Sequence, residues 1–138
     1  MDIQAAYTAF LTALDALPNT VVIGPSIFST MQSWPLPPNG CALTVDLDSI
    51  TLGTDNESTD SIGATGLLLP MCIHVPIDKT NFRGLLAQCL AMLGQIIPAI
   101  TQTFPNYSVV ISDMYTAVVP FGRGEAFGCG FTLTVSTS

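Results

Sequence analysis

Charge is scarce in this sequence. Lys and Arg number three and Asp and Glu ten, so charged residues make up 9% of 138, against roughly 25% in an average soluble domain. A body that meets water on every side coats itself with ionic side chains. Their scarcity implies that much of this surface is covered by other protein, copies of the same chain included. The cations Lys79, Arg83 and Arg123 are too few for the phosphate neutralisation that dominates nucleic-acid binding. A net charge of −7 disfavours an anionic membrane surface for the same reason.

Long apolar runs are also missing, despite a mean hydropathy of +0.54. Pro70, His74 and Pro76 interrupt Leu67–Ile77, and Gln88, Gly94, Gln95 and Pro98 punctuate Leu85–Ile100. Neither is expected to supply the ~20 predominantly apolar residues of a spanning helix. Met1-Asp2-Ile3-Gln4 carries no basic segment, so no secretory leader is expected and a soluble cytoplasmic product is the default. Cys41, Cys72, Cys89 and Cys129 form no CxxC pair and have no His-rich neighbourhood. They read as reduced thiols, small buried hydrophobes rather than zinc ligands.

What is present is periodicity. Ile3, Ala6, Tyr7, Phe10, Leu14 and Leu17 line one face of a helix over 2–17, which Pro18-Asn19 stops. A short strand, Thr20–Ile23, follows. Residues 24–40 hold Gly24, Pro25, Pro35, Pro37, Pro38, Asn39 and Gly40 beside Ile27, Phe28, Met31 and Trp34. That mixture describes an irregular apolar arm, which can fold back on its own core or pack on a neighbouring subunit. From Cys41 to Asp48 the alternation is that of a half-buried strand. Residues 53–66, with Asp55, Glu57 and Asp60 among Ser, Thr, Asn and Gly, read as a flexible acidic loop.

Leu67, Leu69, Met71, Ile73, Val75 and Ile77 alternate again. A hairpin with the preceding strand would set Leu43 opposite Ile73. Pro70 and Pro76 cannot donate to a ladder, so one border of this strand is expected to be unpaired. Asp78 or Thr80 should cap a helix whose apolar positions run from Phe82 to Ile100, with a bend or end near Pro98. Two strands close the chain around a turn at 120–124. Pairing Ala117 with Phe127 sets Ile111 opposite Leu133 and Val109 opposite Val135, and the parity break at Asp113 indicates a bulge. Gly128, Gly130, Thr132, Thr134 and Ser136 would leave one face of the last strand small enough for a second layer. The expected fold is α+β over a single domain, 1–138. Four to five strands form an antiparallel or mixed sheet, packed by an N-terminal helix and a central amphipathic helix.

Candidate chemistry is thin. His74 is the sole histidine, and no sequence pattern around it suggests a triad. Asp46 and Asp48 share a strand face, as an acid–base pair or simply as a solvated face. Asp55, Glu57 and Asp60 lack the later bidentate Glu of a calcium loop. Gly122-Arg123-Gly124 precedes no helix and so reads as a turn. No catalytic, cofactor or metal site is expected, and the chain is not read as an enzyme.

The stretches DIQAAYTAFLTALDAL, CALTVDLDSITLG, GLLLPMCIHVPIDKTNFRGLLAQCLAMLGQII and EAFGCGFTLTVSTS follow one another in an order that resembles the tail terminator proteins of long-tailed bacteriophages. The likeness is one of element order and pattern over nearly the whole chain. It implies a homo-oligomeric, hexameric ring in the virion neck, which caps the tail tube, ends its polymerisation and docks the tail onto head-connector proteins, without cofactor or catalysis. On that reading Phe28, Met31 and Trp34 would meet adjacent subunits, as would the strand bordered by Pro70 and Pro76. Asp55, Glu57 and Asp60 would face the lumen or a partner ring, and Lys79 and Arg83 would meet a neighbour's carboxylates. A head-closure or tube protein of similar build is the nearest alternative. A non-catalytic α+β module binding a small ligand or partner, with the Trp34 arm as lid, is the other.

Overall fold

A computed structural model describes residues 3–23, 40–55, 58–121 and 124–137, with backbone alone for Ile3, 52–55, 58–64 and Thr137. The elements are α1 (Ile3–Asp15), β1 (Thr20–Ile23), β2 (Cys41–Val45), β3 (Ser49–Asp55), β4 (Ser58–Pro76), α2 (Phe82–Thr103), β5 (Tyr107–Phe121) and β6 (Gly124–Thr137). One six-stranded mixed sheet has the order β1-β2-β4-β6-β5, with β3 also paired to β4. β1 joins β2 in parallel and the other pairings are antiparallel. The fold is α+β, as the periodicity implied, with one strand more than expected.

The extra strand is β3. Within 53–66, expected as a loop, residues 53–55 and 58–66 belong instead to hairpin strands that pair Leu52 with Ala64, Gly53 with Gly63 and Thr54 with Ile62. β4 meets β6 only from Gly66 onward, so the outer part of this hairpin projects past the sheet as a two-stranded ribbon. Leu43 does pair with Ile73.

β4 is flanked by β2 and β3 on one side and by β6 on the other, which corrects the expected unpaired border. The prolines fit because of where their missing donors fall. The Pro70 carbonyl accepts from the Asp46 amide at 2.9 Å, and the absent N–H on that side meets the break between β2 and β3. Pro76 is the last residue of β4.

The core lies between one face of the sheet and the two helices. Leu43, Val45, Leu69, Ile73, Val75, Cys129, Leu133 and Val135 are fully buried there, against Phe10 and Leu14 of α1 and Cys89, Ile96 and Ile100 of α2. Phe10 and Phe104 meet edge to face with ring centroids 5.6 Å apart. Each large side chain removed from water in this way contributes about 1.5–3 kcal/mol.

β5 and β6 hold the expected bulge. Ser112 pairs with Thr132 and Tyr115 with Gly130, so Asp113 and Met114 together oppose Phe131. Asp113 takes φ 57°, a left-handed conformation that Asp tolerates better than most residues. Ile111 faces Leu133 and Val109 faces Val135 as expected, but beyond the bulge Ala117 pairs with Gly128 and Val118 with Phe127. The shift reverses the faces. Tyr115 and Val119 now lie over Gly130 and Gly128, so β5 itself covers the glycine end of the small face of β6, while Thr132, Thr134 and Ser136 stay half-buried.

Candidate functional site

The second helix starts at Asn81, whose side chain accepts from the Gly84 amide at 3.1 Å. Asp78, an expected cap, instead ties the preceding turn by accepting from the Thr80 hydroxyl at 2.6 Å. Nor does the helix end near Pro98; it runs on to Thr103. Pro98 takes away the amide that would bond the Gly94 carbonyl, and Gly94 faces open space, where water can satisfy that carbonyl. With 22 residues and a mean hydropathy of 1.6, α2 is long and apolar enough to cross a membrane, which corrects the expectation from its punctuated sequence. Its inner face is built into the core, so insertion into a bilayer would dismantle the packing on β4 and β6.

That inner face consists of Leu85, Cys89, Met92, Ile96 and Ala99. One residue later, about 100° round the helix, Leu86, Leu90, Leu93 and Ile97 make a second apolar stripe. Leu86, Leu90 and Ile97 are 38%, 48% and 43% exposed. On the opposite flank Gln88 donates to the Gly40 carbonyl at 3.3 Å, which turns that flank toward β1 and β2. The stripe therefore looks toward β6 and β5. At the helix start the Phe82 ring stands 5.8 Å from Phe127, the register partner of Val118. Val118 and Met114 on β5 are 40% and 44% exposed. The outer stripe of α2 and the exposed part of β5 are thus adjoining walls of an apolar shelf. α2 carries a single charge, Arg83, and β5 a single charge, Asp113.

The residues singled out by sequence fall around this shelf or outside it. Arg83 sits in the first turn of α2, where a cation opposes the helix dipole, and among the described residues it makes no ion pair. Lys79 approaches Glu125 of its own chain at 4.0 Å, both side chains more than half exposed. Such a pair contributes little. Asp55 and Asp60 lie on the β3–β4 ribbon, described in backbone only, and Glu57 lies outside the described residues. Phe28, Met31 and Trp34 also lie outside them. The shelf itself was not picked out from the sequence. Its signal was the doubling of apolar positions on α2.

Elsewhere, polar groups serve the fold. His74 is buried, with Nδ1 3.3 Å from the Ala42 carbonyl and its ring 4.8 Å from that of Phe121. Burial pushes its pKa down. The Asp46 and Asp48 amides feed the ladder to Pro70 and Leu68. Tyr7 donates its hydroxyl to the Val45 carbonyl at 3.1 Å, and burial, assisted by the Asp46 charge, raises its pKa. All four cysteines are free thiols. Burial pushes Cys72 and Cys89 up to about 12, far from the depressed values of reactive thiols. A hydroxyl-lined groove of about 320 Å³ between β3, β4 and β6 is bordered by Ser49, Thr51, Thr65, Thr134 and Ser136, with no ionisable group. Among the described residues no three His, Cys, Asp or Glu side chains come together as metal ligands.

No family model matches the chain, and no curated protein matches it in sequence. Among solved structures, that of the bacteriophage SPP1 gp17 protein is similar over 98% of this chain and 90% of that one, at 12% identity and a TM-score of 0.46. At that level the likeness carries no argument about function.

Proposed function

We propose that the protein is a structural virion subunit that assembles with its own copies into a hexameric ring at the end of a phage tail tube. The ring ends tube growth and offers the head-connector proteins a surface to dock on. The observation that carries this reading is the apolar shelf between α2 and β5, which leaves half-exposed Leu, Ile and Phe side chains on a protein with hardly any charge to keep it apart from its neighbours. The order of elements supports the choice of a tail terminator over other self-assembling proteins. Under this reading Phe28, Met31 and Trp34 meet adjacent subunits, Asp55, Glu57 and Asp60 line the lumen or face a partner ring, and Arg83 and Lys79 border the subunit contact.

Magnitudes favour an extended contact. Completing the burial of a half-exposed Leu, Ile, Phe, Met or Val gives about 1 kcal/mol, so six such residues on the shelf supply roughly 6 kcal/mol. Association costs about 4–15 kcal/mol. The shelf needs further contacts to hold a ring, and a ring gives every subunit two interfaces.

Light scattering on a sizing column from about 1 to 100 µM, with negative-stain images of the same fractions, tests the proposal. A mass near six times 14.5 kDa and rings with a central hole are expected. A constant mass of one chain across that range, at low and high salt, refutes it.

A further inference from the structure

We propose that the bulge at Asp113 is an edge guard, which keeps β5 of one copy from pairing strand to strand with β5 of a second copy. The proposal goes beyond the ring reading and holds whether or not a ring forms.

An open sheet ends in strands whose outward amides and carbonyls can pair with another chain. Here β1 and β5 stand at the two ends of the strand order. β1 has four residues and offers a foreign strand little to pair with. β5 has 15, and among the described residues only β6 pairs with it. Along it Val110, Met114, Tyr115 and Val118 are well exposed. A long edge strand with apolar side chains and little charge is a template for open-ended sheet growth. Lys, a common means of blunting such an edge, is absent from β5, and Pro120 lies next to its last residue.

The bulge is what interrupts this edge. Asp113 takes φ 57° and shares the place opposite Phe131 with Met114. It is exposed, and it is the single charge of β5. Its position in the strand matters. Met114 is the midpoint of Tyr107–Phe121, so a two-fold antiparallel pairing of two β5 strands along their full length brings both bulges to its centre. Asp113 of each copy would then be diagonal to Asp113 of the other, roughly 7–8 Å apart. Like charges facing each other across strands destabilise the pair, and a bulge bends the strand and breaks the ladder there. The β5–β6 ladder itself makes no use of the extra residue. Ser112 opposes Thr132 and Tyr115 opposes Gly130, so a chain lacking Asp113 would set Met114 alone against Phe131 and keep every other partner.

Residue-resolved hydrogen exchange tests the guard in the wild type. Amides of β5 that point away from β6 should exchange at least about a hundredfold faster than those bonded to β6, at every concentration from about 1 to 100 µM. Deleting Asp113 should slow the outward amides at least about tenfold and give a mass that climbs with concentration past that of the wild type. Adding Val110→Lys to the deletion puts a charge back on the edge and should return the mass to the wild-type value.

Slow outward amides in the wild type overturn the guard, whatever covers them, and this result does not depend on whether the deletion folds. A folded deletion chain with the wild-type mass and fast edge amides overturns it equally. The wild-type mass decides the ring separately. One chain throughout with fast edge amides refutes the ring and leaves the guard standing, whereas a hexamer with slow edge amides does the reverse.

Discussion

Two Gly→Ala substitutions, chemically identical, should move stability in opposite directions. Gly40 precedes β2, where the Cys41 amide donates to the Asn19 carbonyl at 3.0 Å and starts the parallel pairing with β1. A methyl group at residue 40 would overlap that same Asn19 carbonyl oxygen, a backbone atom with no rotamer to escape into. Asn19, held at φ 53°, has little freedom to move away. Relief requires the carbonyl to swing off Cys41, whose amide lies in a residue 1% exposed. An unsatisfied buried donor costs about 1–3 kcal/mol, and overpacking costs a comparable amount. Gly40→Ala should therefore lose about 2–4 kcal/mol, or roughly 7–15 °C in Tm for a chain of this size. Gly94, in the middle of α2, has no heavy atom within 4 Å of the same added methyl. Gly94→Ala gains helix propensity, about 0.5–1 kcal/mol, and should raise Tm by about 2–4 °C. Thermal melts followed by far-UV circular dichroism at one protein concentration decide the matter. A neutral Gly40→Ala, or the same sign for both variants, refutes the reasoning.

Other perturbations test the interior. Burial holds His74 below its ordinary pKa, so in the range just below pH about 6.5 the unfolded chain takes up a proton that the folded one refuses. The stability His74 contributes is complete above that range and is lost as pH falls. Tm should drop on acidification, and His74→Gln should flatten the drop; an unchanged slope in the variant contradicts the assignment. With Cys72 and Cys89 pushed up to about 12 and Cys41, Cys89 and Cys129 buried, Ellman's reagent at pH 8 should find no fast-reacting thiol in the folded protein and four in guanidinium. Asn81→Ala removes the acceptor for the Gly84 amide and should cost about 1 kcal/mol, read as a lower urea midpoint with an unchanged slope.

Much of the fold was legible because apolar residues kept strict periods. Period two marked β2, β4, β5 and β6, and the break at Asp113 located the bulge. The pairing beyond it was one residue out because a bulge sets two residues against one, and sequence parity alone does not say which strand absorbs the difference. The β3–β4 ribbon was invisible for another reason. Strands are recognised by an alternation that exists only where one face is buried, and a two-stranded ribbon beyond the sheet has little core to face. Its Ser, Thr and Gly residues therefore looked like a loop. Pro70 was misplaced at an edge because the break between β2 and β3 that accommodates it is a tertiary feature.

The shelf shows where sequence reading stops. A single core-facing stripe covers roughly 100° of a helix, yet the two stripes of α2 together span about 180°. That excess was present in Leu86, Leu90, Leu93 and Ile97, but spacing could not say which stripe the core would take. The bond from Gln88 to Gly40 settles it by fixing one flank of the helix against β1 and β2. The other flank is left beside β5, where no helix of the described chain stands. Among the described residues, the sheet and its two helices leave ten large hydrophobic side chains exposed. The most apolar of the surface left over is the flank of α2 opposite Gln88, where Leu86, Leu90 and Ile97 stay 38%, 48% and 43% exposed.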